Sequence, residues 1–461
     1  NTHGMNKNCT GKSSMNKAST DTPGNAGYQL SRFDLLCLGV NAIVGSGIYI
    51  LPGTLLSLSG RYAYLAFAIC GVLSLSVALS IATISKQFSR SGGPYLYATS
   101  TFGDRIGFLV GWTCWIAAVA SWAAVGSAFV DQVALLWPTL SGSGIRASLS
   151  VTSVVLLTAI NYLGIRPGSL TSNVFTIIKL LPIATIIIAG GLCFTGLIHP
   201  RLDLLEPETI SHAKSAYNPV VTSANFWKSV FLAFFAYQGF EVIPVPAGKT
   251  LNPKRSVPFA VISSVAFVTV IYIVIQRIAA HVPAAYGSKE PLVAVATALV
   301  GPVTARLIGI AAAISMLGFC AGVALAGPHY LVPIAEDGHI PRKISYTHPR
   351  SQAPTHALII TAVCTSALMI CFDFSRLLAL SVIFVAVQYL STTASVLTLK
   401  TATRPQQVNA AFATQLILGV MVMQLIVDKA SYTMLTDTLA ICLLGLAIRW
   451  ITSHLGRFTK E

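Results

Sequence analysis

Apolar residues in this chain form long runs that are separated by short polar segments. Each run reaches or approaches the roughly 20 residues that an α-helix needs to cross the hydrocarbon core of a bilayer. The pattern predicts twelve membrane spans, at 33–56, 62–85, 107–131, 148–165, 170–196, 226–247, 257–280, 302–328, 355–372, 377–399, 409–427 and 434–452.

Composition supports this reading, because 54% of the 461 residues are hydrophobic and only 10% are charged. A soluble globular protein usually carries about 25% charged residues. We therefore expect an all-α polytopic membrane protein with twelve transmembrane helices. Residues 1–27 are polar and predict a disordered cytoplasmic tail. Residues 28–400 form the predicted ten-helix core, and 401–461 hold the last two helices and a short C-terminus.

The distribution of basic residues predicts the orientation. If both termini lie on one side, 19 of the 30 Lys and Arg residues fall on that side, 10 fall on the other, and Lys179 lies within a span. Cytoplasmic loops carry such an excess of basic residues. We expect a multi-pass protein of the cell membrane with both termini in the cytoplasm. The net charge of +15 then reflects this bias and does not indicate nucleic-acid binding.

Two predicted spans contain residues that interrupt helices. The first span contains Gly45-Ser46-Gly47, and glycine weakens a helix while permitting close approach of another group. The sixth span contains Gln238-Gly239-Phe240-Glu241, followed by Pro244 and Pro246. Each proline removes a backbone donor and disfavours a continuous helix. We therefore expect both spans to break midway.

The two interrupted spans, first and sixth, take matching places in two sets of five. Such a pair indicates a midplane binding site between inverted repeats. Exposed amides at the start of a half-helix suit a carboxylate, and carbonyl groups at a half-helix end suit an ammonium. A zwitterionic amino acid carries both groups. The alternative is a helix-packing motif, since small residues such as Gly45, Ser46 and Gly47 often mediate close helix contact.

At these residues the chain resembles the amino acid–polyamine–organocation transporters, and in pattern it is most similar to proton-coupled or exchanging bacterial amino acid carriers. The matching segments follow one another in the family's order over residues 33–355. They are Gly45-Ser46-Gly47-Ile48, Ser91-Gly92-Gly93-Pro94-Tyr95, Gly239-Phe240-Glu241, Asn252-Pro253-Lys254-Arg255 and Ala335-Glu336-Asp337-Gly338-His339.

The resemblance implies a five-plus-five inverted repeat with helices 1 and 6 broken and two extra helices. Repeat one would cover about 33–196 and repeat two about 226–399. It also implies substrate transport by alternating access. The residues it assigns to substrate binding are Gly45, Ser46 and Gly47 for the carboxylate, the carbonyl groups of Ile43, Phe235 and Gln238 for the ammonium, Gly239 at the second break, and Phe235 as the aromatic lid.

Lys179 is an ionisable residue deep within the fifth predicted span. A lysine at the centre of a membrane helix costs about 2.5–3.5 kcal/mol on insertion scales, so we expect a compensating role. The family resemblance implies that Lys179 bridges helices 1 and 8 through Ser315 and gates transport by protonation. A permanently charged structural lysine is the alternative. For Glu241 we expect a capping or gating role at the second break.

The predicted substrate is a small or medium neutral amino acid. Ala118 aligns with an asparagine, and Phe235 with a tryptophan, of the family's arginine/agmatine exchangers, so recognition of a long cationic side chain is poorly supported. Ser121 lies nearby and suits a small side chain. We expect no cofactor and no metal, with a transmembrane proton gradient or a substrate counter-gradient as the driving force.

We expect secondary active transport of amino acids by proton-coupled symport, and three other functions compete with this prediction. An amino acid or amine exchanger of the same fold is the closest alternative, and a transporter-like nutrient sensor is another. An enzyme is disfavoured, because the histidines show no metal-ligand pattern and no nucleophile lies beside a base. Expected partners are a small-molecule amino acid or amine and membrane lipid, with the protein a monomer or homodimer.

Overall fold

The computed structural model describes residues 28–197, 221–427 and 431–458, and in these ranges the chain is almost entirely helical. The predicted cytoplasmic tail at 1–27 lies outside the described residues. In the described part of the chain, the extended pairing is an isolated bridge between Leu30 and Thr250. The chain is therefore an all-α protein.

The described range 28–197 contains seven α-helices. The first predicted span is divided between two of them, and the spans predicted at 62–85, 107–131, 148–165 and 170–196 each coincide with one helix. These helices are α1 (Arg32–Ile43), α2 (Gly47–Ser59), α3 (Ala63–Ser85), α4 (Pro94–Phe102), α5 (Asp104–Leu136), α6 (Ser143–Tyr162) and α7 (Ile165–Phe194).

Nine more helices follow residue 221 in the described ranges. They are α8 (Ser223–Ala236), α9 (Pro253–Ala279), α10 (Pro291–Leu299), α11 (Pro302–Ala326), α12 (Pro328–Glu336), α13 (Thr355–Cys371), α14 (Phe374–Thr398), α15 (Arg404–Val427) and α16 (Ser431–Phe458). The short helices α4, α10 and α12 lie outside or at the edge of the apolar runs, so the hydrophobic pattern did not predict them.

Seven helical stretches of the described chain are long and apolar enough to cross a bilayer, and α13 is a shorter apolar helix. The chain is a polytopic membrane protein, while twelve crossings stay a prediction. The most apolar windows of α6 and α7 are 22% and 28% buried, whereas that of α5 is 83% buried. Helices α6 and α7 therefore lie at the periphery, and α5 lies at the centre.

The first predicted break is present between α1 and α2. A capping box fixes the start of α1, since the Ser31 and Asp34 side chains bond to each other's backbone N–H groups. The helix ends at Ile43, where the Gly45 N–H donates to the Ile43 carbonyl over 2.9 Å in a tight turn. Regular helix resumes at Gly47, so Val44, Gly45 and Ser46 form the break.

The second predicted break follows α8. Helix α8 ends at Ala236, and Gly239 has a φ of +123°, a conformation that L side chains rarely adopt. A short 3-10 segment covers Phe240–Val242, and turns continue through Pro244 and Pro246. The prolines and Gly239 together prevent a regular helix from continuing towards α9.

Candidate functional site

The two helix breaks lie against each other. Gly239 is so close to the Ala42 carbonyl group that an added Cβ atom would clash with the backbone, and a Cβ on Gly47 would lie 2.9 Å from the Ala236 Cα atom. The buried Tyr272 hydroxyl lies 3.0 Å from the Ile43 carbonyl oxygen and 3.1 Å from the Ala236 carbonyl oxygen. This hydroxyl therefore links the carbonyl ends of α1 and α8.

A closed cavity lies beside the paired breaks. Its volume is about 30 Å³, which is room for roughly two water molecules. A larger solute would require the surrounding side chains to move apart. The lining residues are Ile43, Gly45, Ser46, Gly47, Cys114, Ala117, Ala118, Ser121, Val125, Phe235, Ala236, Gln238, Gly239, Glu241, Val242, Phe319, Val323, Tyr330, Val385 and Gln388.

Every residue that the sequence assigned to substrate binding lines this cavity. The breaks contribute Ile43, Gly45, Ser46, Gly47, Gln238 and Gly239, and α8 contributes Phe235. Small residues Ala118 and Ser121 of α5 form part of the opposite wall. The structure therefore brings these residues to one place, although they come from three separate parts of the chain.

Several lining residues were missed by the sequence reasoning. They include Cys114 of α5, Phe319 of α11, Tyr330 of α12, and Gln388 of α14. The Gln388 amide donates to the Tyr330 hydroxyl over 3.3 Å. A glutamine within an apolar run was the available signal for Gln388. Cys114 and Phe319 gave no such signal, because either residue is ordinary in a membrane helix.

Two polar side chains of the cavity wall have unused hydrogen-bonding atoms. The Ser46 hydroxyl oxygen and both polar atoms of the Gln238 amide are buried without a partner among the residues that the structure describes. A buried polar group without a partner costs about 1–3 kcal/mol. Such groups persist where they serve a function, and here they lie at the cavity between the breaks. This arrangement is suited to a polar solute that bonds to both side chains.

The backbone at the breaks offers donors and a limited set of acceptors. The first amides of α2 point out of the helix start without intrahelical acceptors, and the helix dipole makes this end attractive to an anion. The Ile43 carbonyl oxygen already receives the Gly45 N–H and the Tyr272 hydroxyl. The single hydrogen of the Tyr272 hydroxyl is shared between the carbonyl oxygens of Ile43 and Ala236, so the Ile43 oxygen has one full donor and one shared donor.

Lys179 lies behind the first break and outside the cavity lining. Its ammonium is fully buried and donates to the Val44 carbonyl over 2.6 Å, the Asn41 carbonyl over 2.9 Å and the Ser315 carbonyl over 3.4 Å. The Ser315 hydroxyl adds a bond of 3.0 Å to the Val44 carbonyl. Lys179 thus connects α7 to the end of α1 and to α11.

Glu241 lies at the second break and lines the cavity. One of its carboxylate oxygens accepts the Gly239 N–H over 2.8 Å and the Tyr389 hydroxyl over 2.7 Å. The carboxylate therefore bonds to a backbone amide exposed by the break and ties the break to α14.

Polar contacts close both ends of the bundle beside the cavity. At the end that contains Arg90, this guanidinium binds Glu336 over 2.8 Å and Asp337 over 2.9 Å. The Tyr95 hydroxyl donates to Asp337 over 2.6 Å. At the opposite end, the Gln132 amide donates to Glu290 over 2.9 Å and the Gly287 N–H donates to the Gly53 carbonyl over 2.9 Å. The conformation is therefore closed on both sides.

Comparison with known proteins shows the family to which this chain belongs. The family profile described as amino acid permease matches residues 30–452, which is most of the chain. The chain belongs to the amino acid permease family. Resemblance to amino acid–polyamine–organocation transporters is thereby confirmed. The protein belongs with transporters and not with enzymes.

Three relatives illustrate the range of this permease family. The serine/threonine exchanger SteT of Bacillus subtilis is 29% identical over 364 residues, covering 77% of this chain and 79% of SteT. The uncharacterized transporter Rv1979c of Mycobacterium tuberculosis is 27% identical, covering 80% of this chain and 79% of the relative. The mitochondrial cationic amino acid transporter 3 of Arabidopsis thaliana is 25% identical, covering 81% of this chain and 62% of the relative.

Proposed function

We propose that this permease carries small neutral amino acids across the cell membrane by alternating access, with the cavity between the two helix breaks as the substrate site. The observation that carries the proposal is the pair of buried, unpartnered side chains Ser46 and Gln238 on one cavity wall. The carboxylate would bind the first amides of α2 and the Ser46 hydroxyl, since a helix start favours an anion.

The ammonium would bind at the second break. The Glu241 carboxylate and the carbonyl groups after α8 are the acceptors on that side, whereas the Ile43 carbonyl already accepts the Gly45 N–H and lies beside the Tyr272 hydroxyl. Loss of the Tyr272 bond would release Ile43 for the ammonium. Phe235 lines the same cavity, and its ring would close on bound substrate.

Small wall residues and a small cavity support a small side chain. Ala117, Ala118 and Ser121 line one wall, and Phe319 and Tyr330 restrict the room beyond them. The Gln238 amide offers a donor and an acceptor to a hydroxyl group. Serine and threonine fit these features, and the serine/threonine exchanger SteT is among the relatives.

A cationic amino acid is the second candidate substrate. The Glu241 carboxylate faces the cavity, and a relative carries the name of a cationic amino acid transporter. A long cationic side chain requires more room than the closed cavity has. Uptake competition with serine, threonine, alanine, lysine and arginine separates the two candidates.

Exchange is favoured as the mode of transport, and proton-coupled symport is its alternative. The Lys179 nitrogen lies among three carbonyl oxygens of the first break and α11, at 2.6 Å from Val44, 2.9 Å from Asn41 and 3.4 Å from Ser315, and the charged ammonium has a hydrogen for each of them. A lysine held in this way supports a structural role at the break. Proton coupling through Lys179 would remove one of the three ammonium hydrogens during the cycle, so one of these three carbonyl oxygens would lose its donor.

Transport assays in proteoliposomes test these proposals. With serine inside and labelled serine outside, exchange predicts rapid counterflow that is unaffected by a pH gradient. Proton-coupled symport predicts uptake into empty vesicles that increases when the outside is acidified. Failure of every amino acid and amine to exchange or accumulate would overturn the carrier proposal and favour a sensor.

The proposed architecture has twelve spans, with two inverted five-helix repeats over about 33–196 and 226–399 and both termini in the cytoplasm. Matching helix breaks in α1–α2 and after α8 support the repeats. The Arg90 end, which also holds Lys249 and Arg350, would then face the cytoplasm, as the bias of basic residues predicts.

A further inference from the structure

A second cavity lies at the bundle end that contains Arg90, away from the site between the helix breaks. It has a volume of about 420 Å³ and lies where α6 ends and α7 begins. Three basic side chains line it, those of Arg166, Lys249 and Arg350. This cavity is called the basic pocket below.

The charges of the basic pocket have no acidic partners in the described ranges 28–197, 221–427 and 431–458. None of Arg166, Lys249 and Arg350 forms an ion pair with a carboxylate there, and the Arg166 guanidinium instead lies 5.8 Å from the centre of the Tyr28 ring. The nearby Asp34 is buried and bonded to Tyr28, Ser31 and Asn173. Three positive charges around one cavity therefore favour an anionic ligand.

Backbone geometry shapes the pocket. Gly164 has a φ of +125°, and a Cβ atom there would lie 2.8 Å from the Ser351 carbonyl oxygen. The α6–α7 turn is therefore held against the segment that carries Arg350. Helix α7 begins at Ile165, so its first amides and its positive dipole end point to the same region.

An apolar groove continues from the basic pocket along the outside of the bundle. It lies between α6 and α13, has a volume of about 750 Å³, and shares Leu163 with the pocket. Val155, Leu163 and Val363 are 57%, 68% and 62% exposed along it. From Val151 to Leu163 the groove extends about 18 Å along α6. That length is comparable with one leaflet of the roughly 30 Å hydrocarbon core.

We propose that the basic pocket and the apolar groove together bind one anionic phospholipid. The phosphate would lie among Arg166, Lys249 and Arg350, and one acyl chain would follow the groove through a single leaflet. Basic pockets between transmembrane helices on the cytoplasmic side bind such headgroups. A zwitterionic lipid would bring a further positive charge beside the three cations, a sterol would bring no counter-charge, and a free anion would leave the groove unused.

Native mass spectrometry of the purified full chain tests this site. The protein is mixed with phosphatidylglycerol or phosphatidylcholine of the same acyl chains, and retained lipid is measured. We expect wild type to retain phosphatidylglycerol several-fold more than phosphatidylcholine. The double variant R166Q/R350Q is expected to lose this preference. Arg306→Gln removes an exposed cation of α11 outside the pocket, and this variant is expected to keep the preference for phosphatidylglycerol.

The groove is tested with Ala159→Trp, which adds a bulky ring at an exposed groove position. We expect it to reduce phosphatidylglycerol retention while binding of soluble glycerol phosphate is unchanged. Equal retention of both lipids by wild type would overturn the proposal. Equal retention of phosphatidylglycerol by wild type and R166Q/R350Q would also overturn it. The same holds if Ala159→Trp retains as much phosphatidylglycerol as wild type. Melting temperatures of all variants show that each is folded.

Discussion

Gly239 lies against the backbone of Ala42, and at this contact the second helix break touches the end of the first half-helix. Neither helix could come so close if residue 239 carried a side chain. The contact brings the exposed amides of α2, the Ser46 hydroxyl and the Gln238 amide around one cavity. The site therefore depends on the geometry of both breaks at once.

Replacing Gly239 with alanine is expected to abolish transport and lower the melting temperature. The substitution combines a strained backbone, which costs about 1–3 kcal/mol, with a clash against the Ala42 carbonyl group. Gly301→Ala is the matched control. Gly301 has a φ of +124° but no atom within 4 Å of an added Cβ. Gly301→Ala is expected to lose some stability and to keep transport. Equal transport by Gly239→Ala and Gly301→Ala would show that transport does not depend on the contact between Gly239 and Ala42.

Gln238→Leu is expected to weaken substrate binding about tenfold or more while leaving the substrate-free protein as stable as wild type or more stable. The reason is that the Gln238 amide has no partner in the closed protein, and removing a buried unpartnered amide removes a cost of about 1–3 kcal/mol. Affinity and melting temperature are measured on the same samples.

Gln276→Leu is the control for this substitution. The Gln276 amide donates to the Pro52 carbonyl over 3.3 Å and lies outside the cavity lining. Its removal is expected to leave the affinity for substrate unchanged. The reverse pattern, with Gln238→Leu destabilising and binding normally, would show that the Gln238 amide does not contact substrate.

Lys179→Met is expected to reduce exchange at least tenfold. It leaves the Asn41 and Val44 carbonyl oxygens at the first break without the buried ammonium that bonds them. Lys179→Arg is expected to recover little, since a planar guanidinium differs in shape from an ammonium. Labelled-substrate counterflow is measured with and without a pH gradient. A wild-type rate that follows the gradient, together with a Lys179→Met rate that does not, would support proton coupling instead.

Loosening the polar contacts at the Arg90 end is expected to open the cavity to that side. Asp337→Ala removes acceptors from Arg90 and from the Tyr95 hydroxyl. Exposed ion pairs contribute at most about 1 kcal/mol each, so the closed state is expected to lose severalfold in population. The readout is alkylation of Cys114, a buried residue of the cavity wall, in a variant with no other cysteine.

Asp437→Ala is the control for the Arg90 contacts. It breaks the Arg376–Asp437 ion pair, which lies outside the cavity lining. Faster Cys114 alkylation is expected for Asp337→Ala and not for Asp437→Ala. Identical rates for the two variants would mean that the Arg90 contacts do not hold the cavity closed.

The helix breaks were predictable from sequence because their causes are local. Gly45 and Gly47 weaken the first helix, and Gly239, Pro244 and Pro246 interrupt the second, whatever surrounds them. The segments that cross the bundle were predictable for a similar reason, since a long apolar run needs no tertiary information. These two signals together brought out the cavity residues on the breaks.

The rest of the site depends on tertiary packing and left no local signal. Phe319, Tyr330 and Cys114 face the cavity only because α5, α11 and α12 are turned in particular directions. The Tyr272 hydroxyl reaches two carbonyl groups that lie far away in sequence. The bonds of the Gly45 N–H and the Tyr272 hydroxyl to the Ile43 carbonyl could not be predicted either, because they form only when the chain has folded and the breaks are in contact.

Protection of Cys114 by substrate shows whether the transported amino acid binds between the two helix breaks. Cys114 is the only cysteine in the test variant, and its alkylation rate is measured in membranes with and without serine. We expect serine to slow the alkylation of Cys114 at the concentrations that support counterflow. Gln238→Leu is expected to raise the serine concentration that is needed for this protection. If the test variant shows full counterflow while serine does not slow the alkylation of Cys114, the substrate does not bind between the two helix breaks.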